Sequence, residues 1–142
     1  MKNNLTALRS LLYVPGNSEK MILKARDSVA DALILDLEDA IAVEQKIEAR
    51  STVVRALREM GFSGKDVFVR INPLTTEFGL EDARAVAAAG TPGILLPKAE
   101  RVDDVTTLAP ILQSRNWAGQ QTVYDAKHLL LLIETPRGVV AA

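Results

Sequence analysis

Five short, almost continuously hydrophobic runs recur along the chain and predict five buried β-strands. A strand covered on both faces, as in a parallel sheet flanked by helices, has this composition, whereas a half-exposed strand alternates polar and apolar residues. The runs are Ser10–Val14, Ala32–Leu37, Val67–Ile71, Gly93–Leu96 and His128–Ile133.

Segments with a helical period separate these runs. Their apolar residues recur at intervals of three, four and seven positions, as in helices with one buried face. Ser18 can cap the first helix, Gly61 and Gly90 mark C-terminal ends, and Pro110 should bend or shorten the fourth helix. The predicted helices are Ser18–Val29, Val43–Met60, Phe78–Ala89 and Arg101–Ser114, a fifth starts near Gly138, and Trp117–Lys127 is a polar loop.

Strand and helix alternate throughout, which predicts an α/β protein. Strict alternation is typical of a parallel sheet whose crossover connections are right-handed. The sequence contains no low-complexity segment, exact repeat or interior boundary. We therefore expect residues 1–142 to belong to a single domain.

Polar residues close four of the five predicted strands at the same end. Alternate residues of a strand share a face, and each face examined in this way starts apolar and ends polar. The sets are Ile34, Asp36 and Glu38; Phe68, Arg70 and Asn72; Ile94, Leu96 and Lys98; and Leu130, Leu132 and Glu134.

This pattern indicates a polar site at the carboxyl edge of the sheet. Charge inside a buried sheet is costly unless it is paired or hydrated. Ligands of parallel α/β folds bind at the carboxyl ends of the strands. The simpler alternative is a set of ordinary surface charges where strands run into solvated loops.

Composition narrows the possible functions. The net charge of −1 and the 4% content of aromatic residues offer neither a basic surface nor a stacking platform for nucleic acid. The absence of cysteine excludes disulfides, thiolate metal sites and cysteine nucleophiles. No apolar run reaches the roughly 18 residues that span a bilayer, and Met1–Leu8 lacks the apolar core of a secretory signal. We expect a cytoplasmic protein that binds neither nucleic acid nor membrane.

A nucleotide-binding domain with a doubly wound sheet is a further α/β possibility. Such a domain carries a glycine-rich phosphate-binding turn directly after its first strand. This chain has only Pro15-Gly16-Asn17 at that place. The sequence therefore gives that alternative no support.

Five motifs at the strand ends resemble those of the citrate lyase β-subunit-like branch of the HpcH/HpaI aldolase superfamily. They occur in the family's order and extend over nearly the whole chain. The motifs are Arg9–Gly16 (RSLLYVPG), Leu35–Ala40 (LDLEDA), Val69–Asn72 (VRIN), Leu96–Lys98 (LPK) and Ile133–Gly138 (IETPRG). The resemblance implies a (β/α)8 TIM barrel, of which this chain covers about the first five βα units.

The resemblance also implies a carbon–carbon lyase. Members of that family cleave or form 3-hydroxyacyl thioesters, such as citryl, malyl and citramalyl derivatives of coenzyme A or acyl carrier protein. Oxaloacetate, pyruvate or glyoxylate is the expected product, Mg²⁺ the expected cofactor and a homo-oligomer the expected assembly. Cleavage builds negative charge on an enolate oxygen, which a hard cation and a guanidinium group can stabilise.

Three residues receive principal roles from the matching motifs. Glu134 is implied to be a Mg²⁺ ligand, with a plain strand-end charge as the alternative. Arg70 is implied to hold the substrate's carboxylate and carbonyl oxygens, because a planar guanidinium binds two oxygens at once, with a structural ion pair as the alternative. Asp36 is implied to order the site and its water or metal shell.

Glu38, Asp39 and Lys98 are implied to be supporting, substrate-binding groups. Each has a structural alternative, because Glu38 can be a salt-bridge partner and the other two can fasten neighbouring loops. Arg9 and Lys46 can be placed near a coenzyme A phosphate, but ordinary surface charge is the simpler interpretation of both.

The length of the chain departs from the family. A complete barrel needs about 250 residues, and this chain has 142. The resemblance implies a second carboxylate ligand of the metal, an Asp at the end of a sixth strand, which would lie beyond Ala142. Either the chain is an incomplete stretch of a longer protein, the interpretation we favour, or it needs a partner. An open five-stranded sheet would expose apolar surface, so we expect 142 residues alone to associate and to be inactive.

Three alternatives fit the same motifs. An acyl-CoA thioesterase or a malate-synthase-like condensing enzyme would share Glu134 and Arg70 with the lyase. A non-catalytic subunit is the other class, since no residue of this chain matches the second metal ligand.

Overall fold

The computed structural model describes residues 8–62, 64–112 and 128–142, which form a five-stranded parallel sheet with its helices. The strands are β1 (Leu11–Pro15), β2 (Ala32–Asp36), β3 (Asp66–Arg70), β4 (Gly93–Leu96) and β5 (His128–Leu131). The helices are α1 (Glu19–Arg26), α2 (Lys46–Glu59), α3 (Gly79–Ala88), α4 (Val102–Leu112) and α5 (Pro136–Ala141), and a 3₁₀ turn over Val43–Gln45 precedes α2. All five predicted strands are confirmed.

The predicted helices are confirmed with shifted ends. Helix α1 begins after its predicted cap, Ser18, but ends at Arg26, which leaves Val29 fully exposed. Helix α5 begins two residues before Gly138, because the Thr135 hydroxyl accepts a hydrogen bond from the Gly138 amide and proline suits the first helical position. Pro110 lies inside α4 near its C-terminal end. The predicted loop Trp117–Lys127 lies outside the described residues.

The strands follow one another in space in the order of the chain, β1-β2-β3-β4-β5. In the register, Pro15 is level with Asp36, Asp36 with Arg70, and Arg70 with Leu95. A doubly wound sheet would reverse direction at a switch point, whereas a TIM barrel adds each strand beside the last. The fold is therefore α/β, with five successive βα units of a TIM barrel.

The two faces of the sheet carry separate apolar layers. One face packs against helix residues such as Ile22, Val53 and Val86, and we call it the outer layer; its strand residues include Leu33, Leu35, Val67, Val69, Ile94 and Leu96. The opposite face, the inner layer, consists of Ala32, Ile34, Phe68 and Leu95 with Leu8, Leu130 and Leu132 beside them. The inner layer corresponds to the interior of a barrel.

Phe68 fills the centre of the inner layer because β4 begins with a glycine. A Cβ atom at Gly93 would lie only 2.4 Å from the Phe68 ring, closer than real contacts allow. The neighbouring strand therefore leaves room for the largest fully buried side chain.

The predicted face of the fourth strand is wrong. Ile94 and Leu96 belong to the outer layer, and Leu95 belongs to the inner one. A four-residue strand buried on both faces has no polar alternation that would identify its inward side. Lys98 nevertheless reaches the carboxyl edge, because its own backbone is left-handed (φ 51°) and turns the chain there.

Within the described residues, no helix is long and apolar enough to cross a membrane.

The edge strands expose apolar side chains, and we predict that this 142-residue chain associates. Leu12 on β1 and Leu131 on β5 are both exposed at edges where the described residues supply no further strand, and such edges favour pairing with another chain. Sedimentation velocity should show oligomers, and Leu12→Lys combined with Leu131→Lys should shift the population towards monomer. Ile47→Lys is the matched control, because Ile47 is exposed on α2, the helix between the interior strands β2 and β3. A stable, monodisperse monomer of the parent chain would refute the prediction.

Candidate active site

Charged side chains from four strand ends meet at the carboxyl edge of the sheet, which we call the mouth. The group comprises Asp36, Glu38, Asp39, Arg70, Lys98 and Glu134, and we call it the mouth cluster. Contacts link it from β2 through β3 and β4 to β5. The sequence prediction that these residues lie together is therefore confirmed, while their chemical roles stay predictions.

Asp36 and Arg70 form a two-point ion pair at the base of the mouth. Arg70 Nε lies 2.7 Å from Asp36 Oδ1, and Nη2 lies 2.7 Å from Oδ2. Asp36 also accepts hydrogen bonds from the amides of Glu38 (2.8 Å) and Ala40 (3.1 Å). Both side chains are buried, so the pair fixes the loop after β2 to the end of β3.

Arg70 has further neighbours on its other sides. Its Nη1 lies 3.1 Å from Glu38 Oε2 and 3.5 Å from Asp39 Oδ2. Its Cζ lies 4.8 Å from the centre of the Tyr13 ring, a cation–π distance. The structural ion pair that was the alternative for Arg70 is present, and Nη1 is the nitrogen that lies towards the exposed Asp39.

Glu38 joins the two cations of the mouth cluster. The Glu38 side chain is buried, and its Oε1 accepts a hydrogen bond of 2.6 Å from Lys98 Nζ. Its Oε2 lies within salt-bridge distance of Arg70 but accepts no hydrogen bond from the described residues. Lys98 in turn donates its backbone N–H to Glu134 Oε1 over 3.1 Å. Glu134 is exposed, so the series of contacts runs from a buried pair to a solvent-facing carboxylate.

The contacts within the mouth favour the ionised forms of Asp36, Arg70 and Lys98. Burial opposes ionisation of Asp36, but the hydrogen bonds from Arg70 and from two backbone amides outweigh it and lower the pKa of Asp36. The hydrogen bond with Asp36 raises the pKa of Arg70, and the one with Glu38 raises the pKa of Lys98. Burial raises the pKa of Tyr13, so its hydroxyl stays neutral.

Lys46 is a site-supporting residue that sequence reasoning missed. Its ammonium donates to the backbone oxygens of Leu37 (2.9 Å) and Glu38, directly after β2. It is buried, and burial lowers its pKa, so its interpretation as a surface charge is wrong. A usable signal was its place at the start of α2, where a cation opposes the helix dipole and needs another reason to be there.

Arg9 lies at the opposite edge of the sheet from the mouth. It precedes β1 and pairs with Asp31, which precedes β2, at 2.8 Å. The Arg9 side chain is exposed, as expected of a surface charge, and its position places it away from the mouth cluster.

A second buried ionic group fastens the loop after β3. Asp82 on α3 accepts from Arg50 Nε (2.6 Å) and from the backbone and side-chain amides of Asn72 (3.0 and 2.7 Å). Asn72 was placed by sequence on the mouth-facing side of β3, but its amide binds this helix residue. The Asp82 group therefore holds the segment that follows Arg70.

Glu134 is the residue of the mouth cluster best suited to bind a cation. Its Oε2 accepts no hydrogen bond from the described residues, and Lys98 orients its other oxygen. The part of the chain that the structure describes contains no group of three or more His, Asp or Glu residues arranged around a metal position. Mg²⁺ commonly keeps several waters and takes one or two protein carboxylates, so the donor chemistry of Glu134 fits one ligand of such an ion.

Comparison with known proteins places these features in one family. The family model described as HpcH/HpaI aldolase/citrate lyase matches residues 9–142. A (3S)-malyl-CoA thioesterase of Cereibacter sphaeroides is 34% identical over 138 residues, which cover 96% of this chain and 48% of that protein. The citrate lyase subunit beta of Escherichia coli is 35% identical over 135 residues, or 94% of this chain and 44% of that one.

A solved structure agrees with these matches. Protein CitE from Mycobacterium tuberculosis, in complex with magnesium and pyruvate, superposes with a TM-score of 0.74 and 32% identity, over 97% of this chain and 49% of that chain. The fold and the charged mouth define a TIM-barrel protein with a polar site at the carboxyl ends of its strands. The chain belongs to the HpcH/HpaI aldolase/citrate lyase family. It spans about half the length of the curated relatives that it matches.

We predict that Asp36→Asn destabilises the fold strongly. The substitution keeps the size of the side chain but leaves the buried Arg70 guanidinium without its main counter-charge. Breaking a buried pair in this way costs about 3–5 kcal/mol in the free energy of unfolding, which urea denaturation followed by circular dichroism measures.

Asp103→Asn is the matched control for this substitution. Asp103 pairs with Arg101 at 2.8 Å, but both side chains are well exposed to solvent. An exposed pair contributes little, so the control should change stability far less. Equal effects of the two substitutions would show that the Asp36–Arg70 pair is not a main support of the fold.

Proposed function

We propose that this chain supplies the substrate-binding mouth and one Mg²⁺ ligand of a lyase. The enzyme would cleave a carbon–carbon bond in a 3-hydroxyacyl thioester of coenzyme A or acyl carrier protein, of the citryl, malyl or citramalyl type. The observation that carries the proposal is the linked mouth cluster, in which a buried guanidinium and an exposed carboxylate are held on neighbouring strand ends.

Arg70 would bind the carboxylate and carbonyl oxygens of the substrate. Asp36 holds one edge of its guanidinium and the Tyr13 ring lies against its face, so its direction is set before a ligand arrives. Donors that are already oriented need no reorganisation when negative charge develops on a substrate oxygen. Nη1, towards the exposed Asp39, is the nitrogen that a ligand would meet.

Glu134 would hold the cation. The ion pair between Glu38 and Lys98 would hold the end of β2 and the end of β4 in fixed positions across the mouth. When bound, Mg²⁺ supplies a hard positive charge that stabilises negative charge on a carbonyl oxygen. Carboxylates outnumber cations in the mouth cluster, which favours a divalent cation there. Mg²⁺ is thus the proposed cofactor, and a keto acid such as oxaloacetate, pyruvate or glyoxylate the proposed product.

The relatives support this assignment. The citrate lyase subunit beta is named for carbon–carbon cleavage, and the Mycobacterium tuberculosis protein binds magnesium and pyruvate. Cleavage of a citramalyl thioester would release pyruvate.

Two structural expectations from the sequence stay predictions: that residues 1–142 belong to a single domain, and that the protein is a homo-oligomer.

A thioesterase is the second candidate, because a relative with 34% identity is named (3S)-malyl-CoA thioesterase. The two activities break different bonds of a similar substrate. A lyase leaves the thioester intact and releases a keto acid, whereas a thioesterase releases a free thiol. The mouth cluster would bind the acyl group in either case.

We predict that Mg²⁺ binds to this chain more tightly in the presence of pyruvate or oxaloacetate, and that Glu134→Gln abolishes this effect. The amide keeps the shape of the side chain but removes the charge that a hard cation requires. Isothermal titration calorimetry of Mg²⁺, with and without each keto acid, measures the effect. Glu59→Gln is the matched control, because Glu59 ends α2 away from the mouth and is exposed. Glu134→Gln binding Mg²⁺ like the parent chain would refute the site assignment.

Product analysis separates the two activities in the longer protein or in a complex with a partner, because we expect residues 1–142 alone to be inactive. With malyl-, citryl- or citramalyl-CoA and Mg²⁺, a thiol reagent detects hydrolysis and a keto-acid assay detects cleavage. Formation of keto acid without free thiol supports the lyase, and free thiol without keto acid supports the thioesterase.

A further inference from the structure

We propose that Lys98 is a positioning residue that holds two carboxylates of the mouth at once. Its main chain orients Glu134, and its side chain holds Glu38. The inference rests on the proposed function, because it assigns Lys98 the task of arranging a cation ligand and, through Glu38, the substrate-binding Arg70. Lys98 would act by orienting other residues and would not contact the substrate itself.

The backbone of Lys98 adopts a conformation that a side chain disfavours. Its φ is 51°, and it is the one residue other than glycine with positive φ in the described ranges. Left-handed backbone crowds Cβ against the following carbonyl, so such residues persist where surrounding contacts hold them, often at functional sites. Here the turn after β4 brings both the N–H and the ammonium of one residue to the mouth.

The main-chain contact sets the direction of Glu134. The Lys98 amide binds Glu134 Oε1 at 3.1 Å, and Oε2 accepts no hydrogen bond from the described residues. Any side chain at position 98 keeps this amide, provided that the left-handed turn is kept. The main-chain and side-chain roles can therefore be separated by substitution.

The Lys98 side chain and Arg70 each contact one carboxylate oxygen of Glu38. Lys98 Nζ lies 2.6 Å from Glu38 Oε1, and Arg70 Nη1 lies 3.1 Å from Oε2. Glu38 is buried, so loss of the ammonium leaves Arg70 as the remaining cation within salt-bridge distance of its carboxylate among the described residues. Glu38 would then draw Arg70 away from Asp36 and disturb the guanidinium direction on which substrate binding depends.

Three variants test the side-chain role, and all three keep the main-chain amide. Lys98→Met keeps the length of the side chain and the amide but removes the ammonium, and Lys98→Arg restores a cation. Lys98→Gly removes the ammonium and relieves the left-handed strain. Lys24→Met is the matched control, because Lys24 is exposed on α1.

Calorimetry of Mg²⁺ and pyruvate should separate positioning from plain stabilisation. Lys98→Met and Lys98→Gly keep the amide that orients Glu134 but remove the cation bound to Glu38, so pyruvate should bind about 10–100-fold more weakly, the scale typical of losing an outer partner of a site residue. Lys98→Gly should nevertheless unfold at a higher temperature than Lys98→Met, because both lose the ammonium and only glycine relieves the left-handed backbone, and Lys98→Arg should recover part of the affinity. Unchanged affinity in Lys98→Met and Lys98→Gly, or affinity that falls only in step with thermal stability, would overturn the proposal.

A second readout does not depend on ligand binding. The Arg70 Nε–H group, bound to Asp36, should give a protected nuclear magnetic resonance signal. Lys98→Met should shift this signal or speed its exchange, and Lys24→Met should not. If the parent chain binds neither Mg²⁺ nor pyruvate, the proposed function fails for this chain and the Arg70 signal decides the positioning role. A signal unmoved in Lys98→Met would overturn that role.

Discussion

The paired hydrogen bonds between Asp36 and Arg70 are the contact on which the rest of the site depends. They join neighbouring strands at the level where the inner apolar layer ends and the polar mouth begins. A guanidinium buried there without a counter-charge would be strongly unfavourable, and so would the carboxylate alone. With both present, the pair fixes the β2 loop and gives Arg70 a single direction.

The remaining polar contacts of the mouth build outward from this pair. Lys46 binds the backbone just beyond Asp36, and Asp82 holds the segment just beyond Arg70. Both are buried and charged, and both lie on helices, so the helical layer positions loops that the strands alone would leave free. On the solvent side, Glu38 binds the Lys98 ammonium, and the Lys98 amide binds Glu134, so these contacts connect the buried pair to the exposed carboxylate. The geometry thus passes from rigid and buried to open, as a binding site on a stable scaffold requires.

Much of this arrangement could be predicted from the sequence, for definite physical reasons. Runs such as Ala32–Leu37 are too apolar to be exposed and too short to be helices, which identified the strands. Parallel strands place their carboxyl ends at one edge, so Asp36, Arg70 and Glu134 had to come near one another once alternation with helices was established. The five motifs then identified the family, which the family model matches over residues 9–142.

Other features depend on information that a local pattern does not contain. The run Gly93–Leu96 is apolar on both sides, so its inward face is decided by Phe68 on the next strand. The burial of Lys46 depends on a loop folding back over the start of α2, and the left-handed backbone of Lys98 depends on contacts with two other strand ends. These are tertiary effects: Lys98 looks like an ordinary surface lysine in the sequence, and only the place of Lys46 at the start of a helix hints at its burial.

The central claim is that the charges of the mouth act as one coupled unit, although Asp36 and Lys98 do not touch. A double-mutant cycle of Asp36→Asn and Lys98→Met, measured as the free energy of unfolding, tests it most directly. Coupling through Arg70 and Glu38 predicts an interaction free energy of about 0.5–3 kcal/mol, the range found within connected networks. Strictly additive effects would contradict the account and reduce the mouth to a set of independent ion pairs.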